Sequence, residues 1–144
     1  MPAKPKASLP ETLSFQMELM MQRLVMPRVP SLDDSLDVSP ADRHTLAILG
    51  RSGPIPMTTL AQMLGLPLST TTHRVDKLVK KKLLTRGRAE SDRRIVEIAL
   101  APAGQALEEK LRALHLAIAA EMLKPLTPSE RKLFVDLLTK INKD

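Results

Sequence analysis

The sequence predicts a mainly α-helical fold carrying one small β-hairpin. Apolar residues make up 43% of the 144, but the aromatics are only two Phe, with no Tyr and no Trp. The core must therefore be built from Leu, Ile, Val, Ala and eight Met, which suit helix packing better than a β-sandwich. Apolar side chains recur at three- and four-residue spacing through most of the chain, the period of a half-buried helix. The exception lies at 84–86 and 95–100, where β-favouring residues flank a polar loop over 88–93.

The elements follow in order. Ser8 with Glu11 three residues on is a capping-box pattern, and Leu13, Met17, Met20, Met21 and Leu24 then recur on a helix that Pro27 stops. Residues 1–7 read as a disordered, mildly basic tail. Residues 27–38, with two prolines and three aspartates, read as a linker. Ser39 as cap, Pro40 at the first position and Asp42 in the first turn open a second helix, striped by Leu46, Ile48 and Leu49 and ended over 50–54. Residues 57–64 form a short third helix closed by Gly65. A fourth begins around 67–69 and runs to about Leu83. Beyond the hairpin, Pro102 starts a long fifth helix with Leu107, Leu111, Leu114, Ile118 and Met122 along one side. Thr127 and Glu130 repeat the capping box ahead of Leu133, Phe134, Leu137, Leu138 and Ile141.

The charge is concentrated. Between residues 67 and 94 stand nine basic side chains (Arg74, Lys77, Lys80, Lys81, Lys82, Arg86, Arg88, Arg93, Arg94) against three acids, which is the whole of the formal +6; elsewhere acids and bases balance. A chain basic merely for solubility would spread its excess. Gathered in one segment, the excess reads as a footprint for a polyanion, against the plainer alternative of a solvated lysine-rich helix face.

The segment's own geometry favours DNA. At about 100° per residue, Leu68, Thr71, Val75, Leu78 and Val79 share one side of the fourth helix. Ser69, Thr70, His73, Lys77 and Lys80 lie opposite, with Arg74 at the edge. Short hydroxyl side chains in the first turn can approach bases and phosphates closely, and lysines further along can neutralise the backbone. Helix, short helix, glycine turn, longer helix and hairpin is the order of a winged helix-turn-helix.

The run 70–86 (TTTHRVDKLVKKKLLTR), with Ser91-Asp92-Arg93-Arg94 and Leu100-Ala101-Pro102-Ala103-Gly104, resembles the MarR (multiple antibiotic resistance regulator) family. The similarity covers roughly 39–107, and the flanking helices match in kind. It implies a bacterial homodimeric winged-helix transcription factor, commonly a repressor released by a small ligand. It implies DNA-binding roles for Ser69, Thr70, Thr72, His73, Arg74 and Lys77 on the reader helix. Asp92 would orient Arg94 into a minor groove, and Arg86, Arg88 and Arg93 would take phosphates. An arginine held by a carboxylate is preorganised, and narrow minor grooves attract arginine; the plainer alternative is an ordinary surface ion pair. Lys82 stands where the family usually has glycine, and Ala101 where it often has a threonine cap.

The resulting organisation is an N-terminal dimerisation helix and linker over 8–38, a winged helix-turn-helix over 39–100 and C-terminal dimerisation helices over 101–144. A core of this size cannot cover three further apolar stripes, so they are expected to pack on a second copy rather than fold back on a monomer. The expected partners are double-stranded DNA, a second copy and a small-molecule effector held by polar groups such as Arg23, Arg43 and His44. No membrane partner and no cofactor are expected.

With no cysteine, thiolate metal sites are excluded, and with His44, His73 and His115 outside metal-ligand spacing no histidine metal site is expected. His115 reads as a packing residue. No nucleophile elbow or phosphate-binding glycine loop occurs, so an enzyme is not expected. The amino terminus lacks a secretory apolar run, so a cytoplasmic protein is expected. A constitutive architectural DNA binder and a winged-helix protein-interaction module remain the alternatives.

Overall fold

The computed structural model describes residues 8–27 and 38–143. The expected tail over 1–7 and most of the expected linker over 27–38 lie outside them. The chain divides into two compact units, one holding described residues 38–113 and the other 8–27 and 114–143.

The first unit begins with α2 (Pro40–Ser52), since α1 (Leu9–Met20) belongs to the second. Ser39 Oγ accepts the Asp42 N–H at 3.1 Å while Asp42 Oδ2 accepts the Ser39 N–H at 3.2 Å, a reciprocal cap with Pro40 at the first position. The helix ends within the expected 50–54 stretch, though not at Gly50 itself. It continues to Ser52 and stops at Gly53, whose φ of +71° favours glycine. Glu108 lies close over Gly50, where a Cβ would stand 2.6 Å from its carboxyl carbon and would push that flexible side chain aside.

A two-residue strand, β1 (Ile55–Pro56), leads into α3 (Met57–Leu64), which closes on left-handed Gly65. Then follow α4 (Leu68–Lys80), β2 (Leu84–Arg88) and β3 (Val96–Leu100). The sheet is antiparallel in the order β1-β3-β2, with Ile55 opposite Ile98 and Arg86 also opposite Ile98 from the other side. Sequence patterning foresaw the hairpin but not β1, which is too short to show alternation and contains a proline, tolerated only at a sheet edge. The helix before the hairpin ends earlier than expected. Lys81 caps it and Lys82 adopts φ +59°, a left-handed geometry that favours glycine.

Leu46, Leu60, Val75, Leu78 and Ile98 are fully buried, and Leu49, Leu83 and Leu84 nearly so. Each such side chain stabilises the fold by about 2 kcal/mol relative to exposure. Thr45 and Thr71 join this core because their hydroxyls donate back to the carbonyls of Ala41 and Pro67. Leu68 departs from the expected stripe. It sits beyond the end of the core and is 49% exposed. The opening of α5 (Pro102–Leu123) buries Gly104, Leu107 and Leu111 in the same unit. A Cβ at Gly104 would overlap the Leu83 carbonyl, which also accepts the Ala101 N–H at 3.0 Å. This tie supplies the anchorage that Ala101 lacks as a cap.

In the second unit, α1 and α6 (Pro128–Ile141) each open on a complete capping box, Ser8 with Glu11 and Thr127 with Glu130. These hydrogen bonds hold both glutamates below the usual carboxylate range. After Met20 the first helix widens into a π-type turn over Met21–Val25 rather than running regularly to Pro27. Arg131 donates to the carbonyls of Leu123 and Leu126, closing the C-terminal end of α5. Neither α1 nor α6 buries a single side chain.

Candidate nucleic-acid interface

Helix α4 presents two different sides. Thr71, Val75 and Leu78 face the core, while Ser69, Thr70, His73, Lys77 and Lys80 are exposed, as the 100° wheel requires. Pro67 caps the helix without a side-chain bond, so its first turn keeps donors available to an anion. The hydroxyls of Ser69 and Thr70 make no hydrogen bond among the described residues. That of Thr72 donates to the Leu68 carbonyl at 2.8 Å and retains only acceptor capacity. Arg74 is half-buried at the polar edge.

The hairpin continues this basic surface. Arg86 Nη1 lies 3.2 Å from Asp76 Oδ1, pairing the start of β2 with α4. Across the hairpin mouth, Arg88 Nη1 donates to the Arg93 carbonyl at 2.7 Å. The Ala89 N–H reaches the Ile95 carbonyl and the Ile95 N–H the Asp92 carbonyl, each at 3.0 Å, and Ala89 is buried. The loop is thus folded on itself, with Arg93 and Arg94 exposed at its tip.

Asp92 acts differently from expectation. Its Oδ1 accepts the backbone N–H of Arg94 at 2.9 Å rather than a guanidinium N–H. The carboxylate therefore fixes the turn on which Arg94 stands, and the arginine head has no partner among the described residues. The spacing Asp-x-Arg suits this reading as well as the other, since an aspartate ordinarily bonds the N–H two residues on.

Lys77 also has an unforeseen partner. Its Nζ lies 3.0 Å from Oδ2 of Asp42, which is buried at the start of α2. Burial alone would raise the Asp42 pKa, but hydrogen bonds from Lys77 and Ser39, with the lysine's charge, hold it below the usual carboxylate range. Sequence reading missed Asp42 as a functional neighbour because the two residues stand 35 apart and Asp42 already had a role as first-turn acid.

Of the expected effector contacts, His44 and Arg23 are exposed, and Arg43 donates through Nε to the Val38 carbonyl at 3.2 Å. A separate cleft of about 360 Å³ in the same unit is lined by Leu49, Gly50, Leu100, Gln105, Glu108 and Glu109. Neither Arg43 nor His44 lines it. His115 is exposed rather than packed. Among the described residues there is no cluster of three potential metal ligands, and no helix is long and apolar enough to cross a membrane.

Comparison with known proteins agrees with this geometry. Residues 38–96 match the profile of the MarR family. The HTH-type transcriptional repressor MdtR of Bacillus subtilis (strain 168) is 28% identical, over 83% of this chain and 79% of its own. Bordetella bronchiseptica BpsR, solved in a study of how 6-hydroxynicotinic acid regulates its DNA binding, is 26% identical. It superposes with a TM-score of 0.62 over 92% of this chain and 100% of its own. Streptococcus pneumoniae FabT, solved in complex with DNA, shares the fold at 21% identity, with a TM-score of 0.77 over 93% of this chain and 94% of its own.

Proposed function

We propose that the chain is a DNA-binding transcriptional regulator of the MarR type and works as a homodimeric repressor on an inverted-repeat operator. The observation that carries this reading is the shared basic surface of α4 and the hairpin. The exposed side of α4 offers Ser69, Thr70 and His73 to base edges in a major groove, with Lys80 on the flanking backbone. Arg94, on a turn fixed by Asp92, enters the adjacent minor groove, and Arg88 and Arg93 meet phosphates.

The dimer is supported by the second unit, where Leu133, Val135, Leu137, Leu138 and Ile141 of α6 are exposed on a helix that buries nothing of its own. Such a surface is an interface in waiting. Two-fold symmetry then sets two reader helices about one turn of duplex apart, roughly 34 Å. Repression is argued from MdtR, and release by a small ligand from BpsR. The protein acts in the cytoplasm, alongside the bacterial chromosome.

Selection from random duplexes with the full chain tests the whole reading. An enriched inverted repeat with half-sites about ten base pairs apart is the expected outcome. Enrichment without any repeat favours a constitutive architectural binder, and no enrichment favours a protein-interaction module.

A further inference from the structure

Exposure alone counts Lys77 among the DNA contacts, since 44% of its side chain is open to solvent. Its ammonium, however, is engaged. Asp42 is 3% exposed, and one oxygen of its carboxylate receives both the Lys77 Nζ at 3.0 Å and the Ser39 N–H at 3.2 Å. The carboxylate cannot follow the lysine outward, because the same side chain completes the cap of α2. A phosphate taking Lys77 would leave a buried, uncompensated anion behind it.

The neighbouring residue gives the contrast. Asp76 pairs with Arg86 at 3.2 Å, but both side chains are close to half exposed, at 48% and 42%. Water and salt already screen that pair, so DNA can compete for Arg86.

We propose that Lys77 is a positioning residue rather than a phosphate contact: with Asp42 it forms a strut between α2 and α4 that sets the reader helix in its groove. This deepens the DNA-binding reading and rests on it. The strut acts by fixing where Ser69, Thr70 and His73 are presented, while Lys80, which has no carboxylate partner among the described residues, takes the phosphate. Asp42 is thereby a determinant of affinity though it touches no DNA.

The test is the salt dependence of affinity for a duplex recovered by selection, using the full chain. Each phosphate neutralised adds about 0.9 to the slope of log K against log salt. Lys80→Met is expected to flatten the slope by about that amount. Lys77→Met is expected to weaken binding about tenfold at every salt concentration with the slope unchanged. Asp42→Asn keeps an acceptor for the cap but frees the lysine, so its slope steepens by about 0.9, and adding Lys77→Met removes that gain.

Thermal unfolding followed by circular dichroism establishes that each variant is folded. Should Lys77→Met alone unfold, the double variant Asp42→Asn/Lys77→Met, which buries no lone charge, gives the comparison with wild type. A Lys77→Met slope as flat as that of Lys80→Met, or an unchanged slope in Asp42→Asn, overturns the strut. A wild-type slope near zero overturns the DNA reading itself.

Discussion

The two units start their helices equally well and finish them very differently. In residues 38–113, α2 opens on a capping box and then buries Leu46 and Leu49, as α3, α4 and β3 bury Leu60, Val75, Leu78 and Ile98. In the other unit, α1 and α6 open on capping boxes as complete as that one, yet neither buries a side chain. Local capping defines where a helix begins, and burial decides whether it can stand by itself. Helices of 12 and 14 residues are marginal in water without packing, which is the reason the proposed dimer is assigned to the terminal unit.

Breaking the reader unit should therefore cost the fold, and breaking the terminal unit should cost assembly. The largest stability effect is expected at Gly104→Ala, where the new methyl meets the Leu83 carbonyl. Backbone against backbone cannot yield cheaply, and chemical denaturation should show a loss of about 3 kcal/mol. Leu137→Asp, on the exposed face of α6, should leave the reader unit intact. Light scattering should report the single-chain mass in place of twice that mass. Operator affinity should fall by about 100-fold, or 2.7 kcal/mol, because the two half-sites are no longer read together.

A pH titration sharpens the same contrast. Asp42 has its carboxyl pKa depressed in the folded state, so its stabilisation is complete above the ordinary carboxylate range and disappears as the pH falls through the folded value. Unfolding free energy should decline as the pH falls below about 5, and Asp42→Asn should flatten part of that decline. The exposed caps at Glu11 and Glu130 act in the same direction but outside the core. The smallest effect is a gain. Lys82→Gly relieves a left-handed residue at the end of α4, and denaturation should show about 0.5–1 kcal/mol of added stability, part of it offset by the freer unfolded chain.

Features set by near neighbours were legible in the sequence. The capping boxes at Ser8 and Thr127, the cap at Ser39, the helix closure at Gly65 and the polar side of α4 follow from residues within one or two turns of each other. What escaped reading depends on distance. β1 exists only because Ile55 finds Ile98, and the exposure of Leu68 only because the core ends before it. Lys77 looked like a free cation because Asp42 lies on another helix. Asp92 accepts the Arg94 N–H, and periodicity carries no information on whether a carboxylate holds a guanidinium or an N–H.

The central claim is that α4 and the hairpin lie across adjacent grooves of one duplex. Hydroxyl-radical footprinting reads it most directly, since the cleaved sugar hydrogens line the minor groove. With wild-type protein, protection should be two-fold symmetric and extend into the minor groove beside each half-site. With Arg94→Ala, those flanking protections should vanish while the central ones persist at higher protein concentration. Identical footprints from the two proteins would contradict the account.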